Sequence, residues 1–198
     1  MRLAVAACAA FVTMAGAAEA RTWNIRPGAD AEQALQTALI GARPGDTVAI
    51  ARGRFDLTQG LSLAVDRVTI RGAGQDRTIL SFAGQRRGAE GLLVTSSGVM
   101  LRDFAVENAR GDAIKARDCQ GITFHGVRAE WTRGADSHNG AYGLYPVNCS
   151  DVLIEQSIAR GASDAGIYVG QSRNIIVRDN IAERNVAGIE IENSFNAD

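Results

Sequence analysis

Val99-Met100-Leu101-Arg102, Ile122-Thr123-Phe124-His125, Val152-Leu153-Ile154-Glu155 and Ile175-Ile176-Val177-Arg178 are four versions of one segment. A partner segment follows each: Ala113-Ile114-Lys115-Ala116, Gly143-Leu144-Tyr145-Pro146, Gly166-Ile167-Tyr168-Val169 and Gly188-Ile189-Glu190-Ile191. From Asp66 onward the pattern returns about every 23 residues, a period that signals a solenoid. Each repeat reads as two short β-segments separated by polar corners containing Gly and Asn. Such units cannot bury their apolar faces alone and must stack.

Within the segments apolar residues alternate with polar ones, the period of a strand. The second segments align Leu92, Ile114, Leu144, Ile167 and Ile189 as one inward column, and Val94, Ala116, Pro146, Val169 and Ile191 as the next. Pro146 has no N–H to give to a ladder, so a local break in the sheet is expected there. A corner column runs Ser97, Cys119, Cys149, Ser172, Ser194. It places Cys119 and Cys149 in adjacent coils, within disulfide reach. Two readings stay open: a disulfide, which an oxidising compartment permits, or two stacked buried thiols.

The chain divides into three parts. Residues 1–20 read as an export signal: Arg2, an apolar run from Leu3 to Met14, and a small-x-small site at Ala18-Glu19-Ala20 with cleavage after Ala20. The run is too short for a membrane anchor. Val5-Ala6-Ala7-Cys8 loosely resembles a lipobox, but Cys8 stands too early to follow a full apolar region. A periplasmic or secreted protein, free of the membrane once the signal is removed, is the expectation. Residues 21–65 read as an N-terminal cap and first strands. Asp30 with Gln33 resembles a capping box. Ala31, Ala34, Leu35, Ala38 and Leu39 then share a helical face, and Gly41 and Pro44-Gly45 end the helix. Thr47–Ile50 and Leu61–Leu63 read as early strands. Residues 66–198 are the coils, with an expectation that they continue beyond residue 198 or are covered by another chain.

The 198 residues suit one domain, and 46% apolar content suffices for a core. Aromatics at 6% fit thin stacked coils better than a bulky centre. Net charge is −1 and Lys115 is the only lysine, so a nucleic-acid partner is not expected.

The entry stretch Ala34-Leu35-Gln36-Thr37-Ala38, Arg43-Pro44-Gly45-Asp46-Thr47-Val48 and Val68-Thr69-Ile70-Arg71-Gly72-Ala73-Gly74, together with the repeats ending in Gly188-Ile189-Glu190-Ile191-Glu192-Asn193-Ser194, resembles the pectin-lyase-like superfamily. The resemblance covers nearly all of residues 30–198. It implies an all-β fold: a right-handed single-stranded parallel β-helix of three sheets with a short N-terminal capping helix. That superfamily includes pectate lyases, polygalacturonases, alginate epimerases and NosD-type periplasmic proteins linked to copper delivery. A fold alone does not choose among them.

One outward face gathers chemistry. Its columns read Leu93, Lys115, Tyr145, Tyr168, Glu190 and Thr95, Arg117, Val147, Gly170, Glu192, and the insertion Gly134–Tyr142 enters beside Tyr145. Tyr142, Tyr145 and Tyr168 suit sugar rings, Lys115 and Arg117 suit uronate carboxylates, and Glu190 and Glu192 suit hydroxyls. The bland alternative is a solvated sheet face. The expected role is binding or modifying an acidic polysaccharide. The rival is a non-catalytic accessory or structural repeat protein of the NosD type.

If the chain is an enzyme, it is a polysaccharide lyase or uronate epimerase, with His138 as base, Tyr145 as acid and Arg117 neutralising the carboxylate. Alginate epimerases of this fold carry Asp-Pro-His, where this chain has Asp136-Ser137-His138. His138 as a plain loop residue is the competing reading. Glu190 and Glu192, about 7 Å apart by strand rise, suit an inverting pair in distance only. No cofactor is indicated, with calcium on Asp and Glu side chains left open. No ligand set for calcium stands out, and His125 reads as solvated.

Overall fold

The computed structural model describes residues 19–198, so residues 1–18, where the export signal is expected and where Cys8 stands, lie outside the described residues. Three parallel sheets of eight, six and six strands wind around one core. The solenoid is a right-handed parallel β-helix, as the repeats imply. The coil Ile114–Arg117, Gln120–His125, Arg128–Glu130 contributes one strand to each sheet. The repeat therefore holds three strands, not the two that the alternation shows. The third, at Ala105–Glu107, Arg128–Glu130, Ile158–Arg160 and Ile181–Glu183, is three residues long. Three residues are too few to display a period. Thr47–Ile50, Gly53–Asp56 and Gln59–Leu63 already make one complete coil.

Register within the sheets follows the inward columns. Ile114 pairs with Leu92 and Leu144, and Ile167 pairs with Leu144 and Ile189. Pro146 does break the ladder. Leu144–Val147 keeps four register pairs with the preceding coil but only Leu144↔Ile167 and Val147↔Gly170 with the next. Leu92, Ile114, Leu144 and Ile167 are buried, whereas Ile189 and Ile191 in the last described coil are exposed.

Corners are turned by left-handed residues. Asp118, Asn148, Gln171 and Asn193 form one column with φ from 50° to 56°. Short polar side chains accept this conformation best. They also bond along the helix axis, as Asn148 Nδ2 donates to Asp118 Oδ1 at 2.7 Å. The neighbouring column settles the cysteine question: Cys119 and Cys149 are joined by a disulfide with Cα atoms 4.6 Å apart. Around it, Ser97 Oγ accepts from Gln120 N–H, and Ser172 Oγ accepts from Cys149 N–H.

The cap is the helix Ala31–Gly41, which buries Ala31, Leu35, Ala38 and Leu39. The capping box is not formed. Asp30 sits at the N-cap with φ −96° and ψ 8° and makes no side-chain cap bond, because capping needs an extended N-cap backbone. Glu32 instead ties the helix to the first coil by accepting from Thr58 and Gln59 N–H groups at 3.0 and 2.8 Å.

On the outer side of the third sheet an ionic network lies under the turn at Gln75 and Asp76. Arg128, 8% exposed, donates to Glu107, 6% exposed, at 3.0 Å. It also contacts Glu130, Asp76 and the Gln75 carbonyl. Arg54 holds the second oxygen of Glu107 at 2.9 Å. His125 differs from expectation as well: Glu155 bridges its Nδ1, at 2.9 Å, and Arg178, at 2.7 Å. Parallel register places the three side chains one above another, so Glu155 bonds both neighbours along the helix axis.

Candidate functional site

The outward face of the second sheet is built by register. Lys115 pairs with Leu93 on one side and Tyr145 on the other, and Tyr168 pairs with Glu190. The outer column Arg117, Val147, Gly170, Glu192 is likewise in register. Tyr145 and Tyr168 meet edge-to-face with ring centroids 5.2 Å apart. Tyr142 closes the triad at 4.6 Å from each. Such tilted aromatic contacts are mutually favourable and keep the rings in one cluster. All three rings remain partly exposed.

Tyr142 owes its place to the insertion. Trp131 is buried at its start, and its Nε1–H donates to the Ala109 carbonyl at 2.7 Å. Asn139 is buried too, and its Nδ2 donates to the carbonyls of Gly134 and Gly161. At the far end Tyr142 O accepts from Ala113 N–H at 2.9 Å, which returns the chain to the sheet.

Lys115 is the central cation. Its Nζ lies 4.5 Å from the Tyr145 ring centroid and 3.6 Å from Asp112 Oδ2. Asp112 is its ion-pair partner, and with three N–H donors the ammonium can reach a further acceptor besides that carboxylate. Burial pushes the Asp112 carboxyl up, and Lys115 opposes that shift. Tyr168 donates to Glu192 Oε2 at 2.8 Å. That bond, then burial, pushes the Tyr168 phenol up to about 12. Burial, then the Asp164 carboxylate, pushes Tyr142 up to about 12. Glu192→Ala removes both the acceptor and its charge, the first cause at Tyr168 among them, and is expected to return its phenol toward 10.0. Phenolate absorbance during an alkaline titration reads this directly, and an unmoved curve would contradict it.

The remaining candidates are dispersed. Arg117 is half-exposed and ion-paired with Asp118 at 3.0 Å. His138 is 85% exposed, and its Nδ1 meets Asp136 Oδ1 at 2.9 Å. Among the described residues no hydrogen bond or ion pair joins His138 to Tyr145 or Arg117. Glu190 and Glu192 share the face, but only Glu192 is tied to a tyrosine.

Sequence reading missed Asp112 and Asp164. The signal was present for the first: carrying the alignment two residues upstream of Leu92, Ile114 and Leu144 gives Glu90, Asp112 and Tyr142 in one column. Backbone bonds from Gly91 N–H to Asp112 O and from Ala113 N–H to Tyr142 O confirm that register. No group of three or more His, Cys, Asp or Glu side chains is placed to hold a metal ion among the described residues. No described helix is long and apolar enough to cross a membrane.

Comparison with known proteins identifies the fold. The mannuronan C-5 epimerase AlgE4 A-module of Azotobacter vinelandii is similar with a TM-score of 0.59 at 17% identity, over 85% of this chain and 55% of that module. The pectate lyase Pel9A is similar at TM-score 0.49 and 13% identity, over 90% of this chain and 64% of the lyase. The chain thus spans about half of the epimerase module. No curated protein sequence matches it. The family described as the right handed beta helix region matches residues 63–198, well over half of the sequence, and the chain belongs to that family, with a pectin-lyase-like fold.

Proposed function

We propose that the chain is an exported protein that binds an extended polysaccharide across the face formed by Lys115, Tyr142, Tyr145 and Tyr168. The observation that carries the reading is the three-ring platform beside a lysine whose ammonium keeps donors beyond its Asp112 ion pair. Sugar rings present apolar faces that suit tyrosine, while Lys115 supplies one charge-assisted hydrogen bond to a uronate carboxylate. Asp112, Asp164, Glu190 and Glu192 surround the platform, so the polymer read here is acidic at the Lys115 subsite and meets its hydroxyls elsewhere. Arg117 adds a second contact only by exchanging Asp118 for the ligand.

Binding is the function read here, not turnover. A lyase or epimerase needs base, acid and neutralising cation around one carbon. His138, Tyr145 and Arg117 have no contact that would hold them so. The fold shared with a mannuronan epimerase module is in keeping with a polysaccharide ligand. Among the described residues no acidic cluster is placed to hold calcium.

An array of uronate-containing and neutral polysaccharides, read with and without calcium, tests the proposal. A selective uronate signal is expected. Tyr145→Ala and Tyr168→Ala should each weaken it by about 2 kcal/mol, roughly 30-fold in Kd, as for aromatic anchors in other interfaces. Lys115→Met should remove the preference for uronate. A blank array from folded protein, or binding untouched by both tyrosine variants, would remove this face from consideration.

A further inference from the structure

We propose that the Ala20–Arg21 peptide bond is a processing point and that the ammonium freed there is a structural ion seated on the buried Asp46 carboxylate. The idea rests on export, and it is independent of glycan binding.

Asp46 is 4% exposed. Its Oδ1 accepts from Arg21 backbone N–H at 2.8 Å, and its Oδ2 from Trp23 Nε1–H and Arg43 N–H, both at 3.0 Å. All three donors are neutral. No side-chain cation is ion-paired with Asp46 among the described residues, and the Arg21 guanidinium lies over the Trp23 ring at 3.8 Å. The backbone bond from Arg21, then the Trp23 and Arg43 donors, hold the Asp46 carboxyl below its usual range, so it stays ionised and can seat a cation. The nitrogen nearest to Asp46 belongs to the residue that follows the small-x-small site Ala18-Glu19-Ala20. Ala20 and Arg21 are both exposed.

Hydrolysis places a cation directly on that carboxylate. Water adds across the Ala20–Arg21 bond, the C–N bond breaks, Ala20 leaves with the carboxylate, and the Arg21 nitrogen takes the proton to become an ammonium. The backbone N–H that already touches Oδ1 becomes a charged donor, and Oδ1 has a second lone pair free to receive it. Arg21 O still accepts from Thr47 N–H at 2.9 Å, so the strand Thr22–Ile25 stays in register. Unprocessed chain lacks this ion pair and holds its first strand more weakly, which suits a chain that must cross a membrane before folding.

The pH sign follows. An α-ammonium titrates near about 8 when free, and a carboxylate partner raises that value in the folded state. The added stability is complete below about pH 8 and is lost as pH rises through the raised value. Other charged groups here are the Arg21 guanidinium and Asp30, which lines the same groove, while Arg43 and Arg67 adjoin Asp46 through their backbones. The arginines hold their charge throughout this range.

Two chains provide the test, one beginning at Arg21 and one keeping Glu19-Ala20. Hydrogen exchange of the Thr22–Ile25 amides at pH 7 is expected to be about five- to tenfold slower in the Arg21 chain, the difference between a neutral and a charge-assisted hydrogen bond. The gap should close at alkaline pH and be absent when both chains carry Asp46→Asn. Equal rates at pH 7, or a gap that survives Asp46→Asn, would overturn the ion pair. If Asp46→Asn does not fold, the pH dependence of the unsubstituted pair decides instead. Intact mass of protein recovered from an exporting host tests the processing point: a chain starting at Arg21 supports it, and any other start refutes it.

Discussion

Arg128→Ala is expected to lower stability by about 3–5 kcal/mol, the range found when one member of a buried ion pair is removed. Arg128 and Glu107 are each less than a tenth exposed, and Arg128 also meets Glu130 and Asp76. Its loss leaves Glu107 with Arg54 alone, a residue 46% exposed, and leaves Glu130 without its guanidinium. Arg128→Met keeps most of the stem and isolates the charge. It should remain within about 1 kcal/mol of Arg128→Ala, because the unpaired carboxylates rather than lost packing dominate. Adding Glu107→Gln to Arg128→Met should recover part of the loss, since it removes the stranded charge. Urea unfolding of the parent, Arg128→Met, Glu107→Gln and the double variant closes a double-mutant cycle. A cost below about 1 kcal/mol for Arg128→Ala would mean that water reaches the network as it reaches a surface pair.

That network also shows where the sequence stopped being legible. The inward columns on the second sheet could be read because period-two alternation over several coils admits one register. The outward columns follow from the same register and put Lys115, Tyr145 and Tyr168 on one face, while Tyr142 is reached only through the insertion that enters beside them. Glu107 and Arg128 lie in three-residue strands, where no alternation shows. Their charges look solvated until the Gln75–Asp76 turn is seen to cover them. His125 failed for a related reason, since the alignment gave its column but not the pairing through Glu155. The capping box failed because a residue pattern does not fix the N-cap dihedrals. Asp112 was hidden only by stopping the alignment too soon, whereas Asp164 enters from a corner and no register argument reaches it.

Trp131→Ala carries the other large effect, because it couples the core to the tyrosine face. Trp131 is among the largest fully buried side chains and its indole N–H is satisfied by Ala109 O. Truncation of a buried Trp costs about 3–5 kcal/mol through lost transfer energy and the cavity left behind. The neighbours of that cavity are specific. A Cβ on Gly140 would contact Trp131 Cζ2 at 2.7 Å, and one on Gly161 would contact Trp131 Cβ at 3.4 Å. The indole therefore forms the wall against which the insertion closes. With the wall gone, Asn139 and Gly140 lose their support and Tyr142, two residues on, loses its fixed position over Tyr145 and Tyr168. Trp131→Ala should accordingly lose both stability and most glycan affinity, whereas Trp131→Phe should keep the platform at a smaller cost. Gly140→Ala reaches the same end from the other side, since its Cβ would overlap the Gly111 carbonyl oxygen. Urea midpoints report the first effect and the polysaccharide Kd the second. If Trp131→Ala lowers the midpoint and leaves the Kd unchanged, the insertion is held by its own hydrogen bonds, and Tyr142 belongs to the sheet rather than to the loop.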